Sequence, residues 1–274
     1  MSNTPTIKLG DAVEIPQLGF GVYKVPPDET EASVRAAIET GYRAIDTATL
    51  YQNEREVGAA IRASGVARED IFVTTKLWND AHGYDEAIRA FERSESELGL
   101  DYLDLFLIHW PVPSTDRYVE TWRALLELRR SGRVRAVGVS NFEPEHLRRL
   151  VEETGVAPAI NQVELHPLFQ QRALRDAHDE LGVVTEAWAP LARGNVLTDP
   201  MLVRLAKKYD KTPSQIVLRW HLDIGNVAIP KSVTPSRIAE NFDVFDFALE
   251  SDDIVEICAL DDEHGRTGKH PNDM

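Results

Sequence analysis

The chain has 274 residues, 43% hydrophobic and 27% charged, a balance that excludes a disordered linker or tail. Thirty lysines and arginines against forty-five aspartates and glutamates leave a net charge of -15, which repels phosphate backbones and anionic bilayers, so neither nucleic acid nor membrane is an expected partner. No apolar run reaches the roughly 18–20 residues of a bilayer span, and the longest, at 103–108, is stopped by His109 and Pro111.

The opening MSNTPTIKLGD has no basic segment followed by an apolar one, so no secretory signal is expected and the cytoplasm is the expected compartment. Residues 7–9 and 13–15 flank Gly10-Asp11 and read as a short hairpin, with a first buried strand at 18–20. From there an apolar run, a polar turn and a helical stretch recur. The strands are predicted at 44–46, 72–76, 103–108, 134–139, 159–164, 183–187 and 227–229. The helices are predicted at 54–63, 85–98, 118–130, 144–153, 171–181 and 201–209, with another starting near Pro235. Thr212-Pro213 and Thr234-Pro235 read as N-caps before a proline at the first helical position, and Ser251 before Asp252-Asp253 reads as a third cap.

With 18–20 included, eight short strands buried on both faces alternate with helices, a pattern that favours a closed (β/α)8 TIM barrel behind an N-terminal β-hairpin. The rival is an open doubly wound sheet, which would bring a G-x-G-x-x-G turn if it bound a dinucleotide; Gly19-Phe20-Gly21 lacks the third glycine. Barrels of this length commonly stand alone, so residues 1–274 are expected to form one domain. The lone Cys258 excludes an internal disulfide and fits a reducing compartment; its neighbours Ile254, Ile257 and Leu260 suggest core packing.

In a parallel barrel the carboxyl ends of all strands open on one face. Asp46, Lys76 and His109 close three predicted strands, Ser140-Asn141 closes a fourth, Gln162 and Glu164 lie on a fifth, and Tyr51 follows Asp46 by five residues. Pairing Asp46 with Lys76 settles two buried charges. A phenol beside that ammonium is expected to have its pKa lowered from about 10 toward working pH, which suits general acid or base chemistry.

GYRAIDTATLYQNEREVG (41–58), KLW (76–78), IHWP (108–111), GVSNF (138–142), NQVELHP (161–167), AWAPL (187–191) and IPKSVTPSRIAENFDVFDF (229–247) together resemble the aldo-keto reductase superfamily, in its order and over nearly the whole chain. KVPPDET, the short HWPVPSTDRYVETW segment and the GRTGKHPNDM ending are most similar to the compact bacterial 2,5-diketo-D-gluconate reductase type. The resemblance implies metal-free reversible hydride transfer between a nicotinamide and a carbonyl. Tyr51 would be the general acid, Lys76 would lower its pKa, Asp46 would hold Lys76 and His109 would orient the substrate.

It further implies NADPH/NADP+ as cofactor. Ser140, Asn141 and Gln162 would meet the carboxamide, and Trp188 would stack on the ring where many members have Tyr. Leu191 belongs to the same site. Ser232, Val233 and Thr234 would present backbone N–H groups to phosphate at the helix that Pro235 starts, Lys231 and Arg237 would add two cations there for the 2′-phosphate, and Glu240 and Asn241 would meet the adenine. Tyr23, Trp78 and Trp110 would join His109 in walling the substrate pocket. The stretch 191–200, with Gly194 and Asn195, is a candidate flap, and the short ending is expected to leave the pocket open to small polar aldehydes and ketones, diketo sugars and dicarbonyls of the methylglyoxal type among them. A monomer is expected. Two alternatives stay open: a nicotinamide-binding interaction or sensor protein with slow residual chemistry, like the potassium-channel β subunits of the superfamily, and a divalent-metal hydrolase using His109, His166, Glu164 and Asp46.

Overall fold

A computed structural model describes residues 4–10 and 13–274. The predicted hairpin turn therefore falls partly outside the described residues, since Gly10 is described and Asp11 is not. Its two strands, β1 (Thr6–Leu9) and β2 (Val13–Pro16), pair antiparallel. The eight that follow are all parallel and run in chain order: β3 (Phe20–Gly21), β4 (Ala44–Asp46), β5 (Phe72–Leu77), β6 (Leu103–Ile108), β7 (Val134–Ser140), β8 (Ile160–Glu164), β9 (Val184–Trp188) and β10 (Val227–Ala228).

The sheet closes on itself. Leu18 bridges Ala228 in parallel, Gly19 N–H donates to Ala228 O at 2.9 Å, Ala228 N–H to Gln17 O at 3.0 Å and Gly21 N–H to Pro230 O at 3.1 Å. These bonds make the structure a (β/α)8 barrel rather than an open sheet. The first strand is shorter and later than predicted because Leu18 contributes only this isolated bridge.

Among the described residues ten helices accompany the strands: α1 (Pro27–Thr40), α2 (Glu54–Ala63), α3 (Tyr84–Leu98), α4 (Tyr118–Arg130), α5 (Pro144–Thr154), α6 (Arg172–Leu181), α7 (Pro200–Tyr209), α8 (Pro213–Asp223), α9 (Pro235–Phe242) and α10 (Ser251–Cys258). Helix α1 carries no range in the sequence reading, although Pro27 followed by Asp28 and Glu29 is an ordinary start signal. At α8 Thr212 caps as expected, its Oγ1 accepting from Gln215 N–H while its own N–H donates to Gln215 Oε1 at 2.9 Å. Thr234 stands at the α9 cap without a side-chain bond. Ser251 is the first helical residue and Glu250 the cap, so the third cap is displaced by one position. Helix α2 passes close to the end of α3: a Cβ on Gly58 would lie 1.8 Å from Leu98 O, and only glycine permits that approach. Cys258 ends α10, half-buried against the main core.

Strand residues alternate between two cores. Ile45, Val73, Phe106, Val137, Val163 and Ala187 point outward into the large cluster beneath the helices. Ala44, Phe72, Leu105, Ala136, Ile160 and Val227 point inward and meet Leu9, Val13 and Ile15 of the hairpin, which plugs the amino end of the barrel. Moving two or four residues along each strand from this inner layer reaches Asp46, Lys76, Ser140, Gln162 and Glu164. The apolar floor and the polar mouth are thus the same face of the same strands. No helix among the described residues is long and apolar enough to cross a membrane.

Candidate active site

Alternation and register bring the predicted residues together. Asp46 pairs with Thr74 on β5, two residues before Lys76, and Ser140 pairs with Gln162, which pairs with Glu186. Lys76 is fully buried, and its Nζ has three close partners: Asp46 Oδ1 at 2.6 Å, Asp46 Oδ2 at 2.7 Å and Thr47 O at 2.9 Å. An ammonium has three hydrogens, so these acceptors satisfy it. Tyr51 Oη lies farther off, at 3.5 Å, at the end of the 3-10 turn Thr49–Tyr51. Its ring rests 5.0 Å from that of Tyr23 and 5.8 Å from His109, and the His109 ring stands edge-on 5.1 Å from Trp78.

The direction of the Tyr51 pKa corrects the sequence reading. Burial first, then the charge of Asp46, with Tyr23 and Glu186 adding to it, push the phenol well above its usual 10. The ammonium expected to lower it is already paired to Asp46, so little of its field is left for the phenol. Tyr51 is therefore fully protonated at neutral pH, the form that can give a proton to an oxygen. Burial, and then the charge of Lys76, hold His109 well below its usual 6.5, so the imidazole is neutral, and its Nδ1 is buried without a partner among the described residues.

These groups open into one cavity of about 1020 Å³. Its walls at one end are Tyr23, Tyr51, Trp78, His109 and Trp110; Ser140, Asn141, Gln162, Trp188 and Leu191 line the middle; and Lys231, Ser232, Val233, Arg237, Glu240 and Asn241 line the far end. Every predicted site residue therefore borders it except Lys76, which lies beneath the floor. Asn141 is less free than expected, because Nδ2 donates to His109 O and Ser140 Oγ while Oδ1 accepts from Trp188 Nε1 at 2.8 Å. Gln162 Nε2 serves two carboxylates, Asp46 and Glu186, which leaves its Oε1 as the open acceptor. At the far end no side chain caps α9, and Lys231 and Arg237 have no carboxylate partner among the described residues, so backbone N–H groups and two cations converge where an anion would sit. This volume, polarity and charge fit a dinucleotide that carries a further phosphate toward its adenosine end. In the stretch expected to act as a flap the turn at 192–194 is not helical, since Ala192, Arg193 and Gly194 all lie at positive φ (49°, 56° and 95°).

Two features were missed. Glu186, 1% exposed on β9, is the second carboxyl beside Asp46; it lies two residues before Trp188 on one strand, so the alternation that turns Trp188 inward also turns Glu186 inward. The other is the role of Glu164, named in the sequence only as a strand residue and a candidate metal ligand: its carboxylate accepts from Thr267 N–H and Oγ1, each at 2.6 Å, from Gly268 N–H at 2.8 Å, and contacts His166 Nε2 at 3.1 Å. These bonds lay the ending along the rim of the mouth, where Gly268, Lys269 and Met274 join the lining of the cavity. A Cβ on Gly268 would fall 2.6 Å from the Trp188 ring and 2.8 Å from Glu164, which is why the tail crosses there as glycine. Among the described residues no group of three His, Cys, Asp or Glu is arranged to hold a metal ion, and Glu164 and His166 serve the tail.

Burial alone would raise the Glu164 carboxyl; the donors of His166, Thr267 and Gly268 outweigh it and hold it down at about 2. A depressed acid adds stability that is present above its unfolded pKa and is lost as pH falls toward the folded value, so the latch is intact at neutral pH. Glu164→Gln is expected to cost about 1.5–3 kcal/mol, because an amide loses the charge and turns N–H donors toward N–H donors. Limited proteolysis should then cut the tail faster than in the parent; equal cutting rates would show that the tail is held elsewhere.

Comparison with known proteins gives a consistent picture. The sequence profile of the aldo/keto reductase family matches residues 17–262. An aldo-keto reductase of Mycolicibacterium smegmatis is 55% identical over 258 residues, 94% of either chain. The methylglyoxal reductase DkgA of Salmonella typhimurium is 52% identical over 274 residues, covering 99% of this chain and 98% of its own. Among solved structures, a mutant of Gox0644 in complex with NADPH superposes with a TM-score of 0.95 at 50% identity, covering 98% of both chains.

Proposed function

The chain belongs to the aldo/keto reductase family, and on that premise we propose that it reduces small aldehydes and ketones to alcohols with NADPH, Tyr51 acting as the general acid. The observation that carries this reading is the buried pair Lys76–Asp46 beneath the Tyr51 phenol and the His109 imidazole at the mouth of one barrel. When bound, the cofactor supplies and accepts hydride. The protein's part is to hold the carbonyl and furnish the proton. His109 orients the carbonyl oxygen, Tyr51 Oη gives it a proton as the hydride reaches the carbon, and Asp46 and Lys76 fix the floor on which the phenol stands.

Ser140, Asn141 and Gln162 would hold the carboxamide, with Gln162 Oε1 accepting from its amide, and Trp188 would stack on the ring. Lys231 and Arg237 would hold the 2′-phosphate, Ser232 and Val233 the phosphates at the start of α9, Glu240 and Asn241 the adenine, and Leu191 the space between. Tyr23, Trp78 and Trp110 offer small substrates an aromatic wall. DkgA, the Salmonella relative, is named for methylglyoxal, and we extend that to small dicarbonyls and to diketo sugars such as 2,5-diketo-D-gluconate. We place its action in the cytoplasm, the reducing compartment that a lone Cys258 fits.

NADPH oxidation followed against a panel of aldehydes, diketones and keto sugars tests the reading; no carbonyl-dependent oxidation at saturating cofactor would leave a nicotinamide-binding sensor as the better one. Preference for the 2′-phosphate rests on Lys231 and Arg237. Lys231→Ala is expected to weaken NADPH by about tenfold, the order of one charge-assisted contact, and NADH hardly at all. Equal losses for the two cofactors in a binding titration would count against recognition of that phosphate.

A further inference from the structure

The centre of the barrel holds two carboxyls and one cation. Asp46 is 4% exposed and Glu186 1%, and Gln162 Nε2 lies 2.9 Å from each. All three Lys76 hydrogens go to Asp46 and Thr47, none to Glu186. Counting bonds therefore assigns the charges. Asp46 has its counterion, while Glu186 has a neutral amide and a like-charged neighbour, an arrangement in which a buried carboxyl keeps its proton.

The groups that act electrostatically on Glu186 are few: Asp46 on β4, Lys76 on β5 and the Tyr51 phenol on the turn after β4. On its two flanking strands, β8 offers Gln162 as its register partner and β10 only Val227 and Ala228. Burial first, and then the charge of Asp46, push the Glu186 carboxyl up to about 7, with the bond from Gln162 and the charge of Lys76 opposing.

We propose that Glu186 is a positioning residue that exchanges a proton with solvent beneath the nicotinamide, and that its charge, joined to Asp46 through Gln162, sets the preference for oxidised over reduced cofactor. The proposal rests on the assignment of Gln162 and Trp188 to the nicotinamide made above. With Glu186 protonated the cluster of Asp46, Lys76 and Glu186 is neutral; with Glu186 ionised it carries one negative charge. The oxidised nicotinamide is a cation and the reduced one is neutral, so ionisation favours NADP+ selectively. Raising the pH through the Glu186 titration thus draws the cofactor equilibrium on the enzyme toward the oxidised form, and by linkage bound NADP+ expels the proton.

The test is the pair of dissociation constants for NADP+ and NADPH, measured by protein fluorescence on wild type and Glu186→Gln between about pH 6 and pH 8.5, a window that spans the titration. The 2′-phosphate also titrates near pH 6, but it is common to both cofactors and cancels in their ratio. In wild type the ratio Kd(NADP+)/Kd(NADPH) is expected to fall about three- to tenfold across the window, the size of a pKa displacement of up to one unit. In Glu186→Gln, which mimics the protonated acid, it is expected to stay flat. A flat wild-type ratio, or a Glu186→Gln ratio with the wild-type slope, overturns the proposal.

Calorimetry on wild type alone, in two buffers of different ionisation enthalpy near pH 7, gives the answer if the variant does not fold. NADP+ binding should release more protons than NADPH binding, and equal release overturns the proposal. If neither cofactor binds, the assignment of the cavity to a nicotinamide cofactor fails and takes the proposal with it. Tight binding with a pH-independent ratio sinks the role of Glu186 alone.

Discussion

Tyr51→Phe is expected to lower kcat for carbonyl reduction by about 10²–10⁴-fold, the range for losing a positioned general acid, while NADPH binding stays within about twofold of wild type. The substitution deletes one oxygen. The ring keeps its contacts with Tyr23 and His109, and Lys76 keeps its bonds to Asp46 and Thr47, since the phenol is its most distant partner at 3.5 Å. Stopped-flow turnover beside a cofactor titration and a melting curve checks this. Joint loss of binding and melting temperature would make Tyr51 a structural residue.

The pH dependence follows from the same geometry. Because burial and Asp46 hold the phenol well above 10, the proton-bearing form persists through neutral pH, and because burial and Lys76 hold His109 far below 6.5, the imidazole does not charge there. Reduction should therefore show no loss from either group between about pH 6 and pH 9, whereas alcohol oxidation, which needs the phenolate, should rise with pH throughout.

The parts legible in the sequence were those where one residue type breaks an apolar run. Asp46, Lys76 and His109 stand at the carboxyl ends of buried strands, and a parallel barrel gives three such endings a common place. The motif order then carried the reading of Tyr51, Trp188 and Lys231. Glu186 escaped because β9 was read as a short apolar run with no face assigned, although Trp188 two residues on already marked the inward side. The Glu164 latch escaped for a different reason. Its partners Thr267 and Gly268 lie 103 and 104 residues away in an irregular tail beyond the matched family segment, and no local pattern encodes such a contact. The direction of the Tyr51 pKa escaped because proximity to an ammonium says nothing about which acceptors take its hydrogens. That is a matter of ångströms, settled by Asp46 and Thr47.

Lys76→Met should destabilise the fold more than Glu164→Gln or Tyr51→Phe, at about 3–5 kcal/mol, the cost of removing one partner from a buried ion pair. Methionine fills much of the volume of the lysine stem, so the loss is mainly electrostatic. It leaves Asp46 beside Glu186, both buried, with Gln162 as their shared donor and no cation. Two buried acids without a counterion take up protons more readily than they do in the unfolded chain, so the folded variant is penalised as pH rises and relieved as pH falls. The gap in melting temperature between variant and wild type should accordingly widen from about pH 5.5 to pH 8. A gap independent of pH would instead implicate lost packing of the lysine stem. Adding Asp46→Asn removes the stranded charge, and the double variant should recover a large part of the lost stability while remaining inactive. Additive losses in that double-mutant cycle would mean that Lys76 and Asp46 are not coupled as the 2.6 Å contact requires.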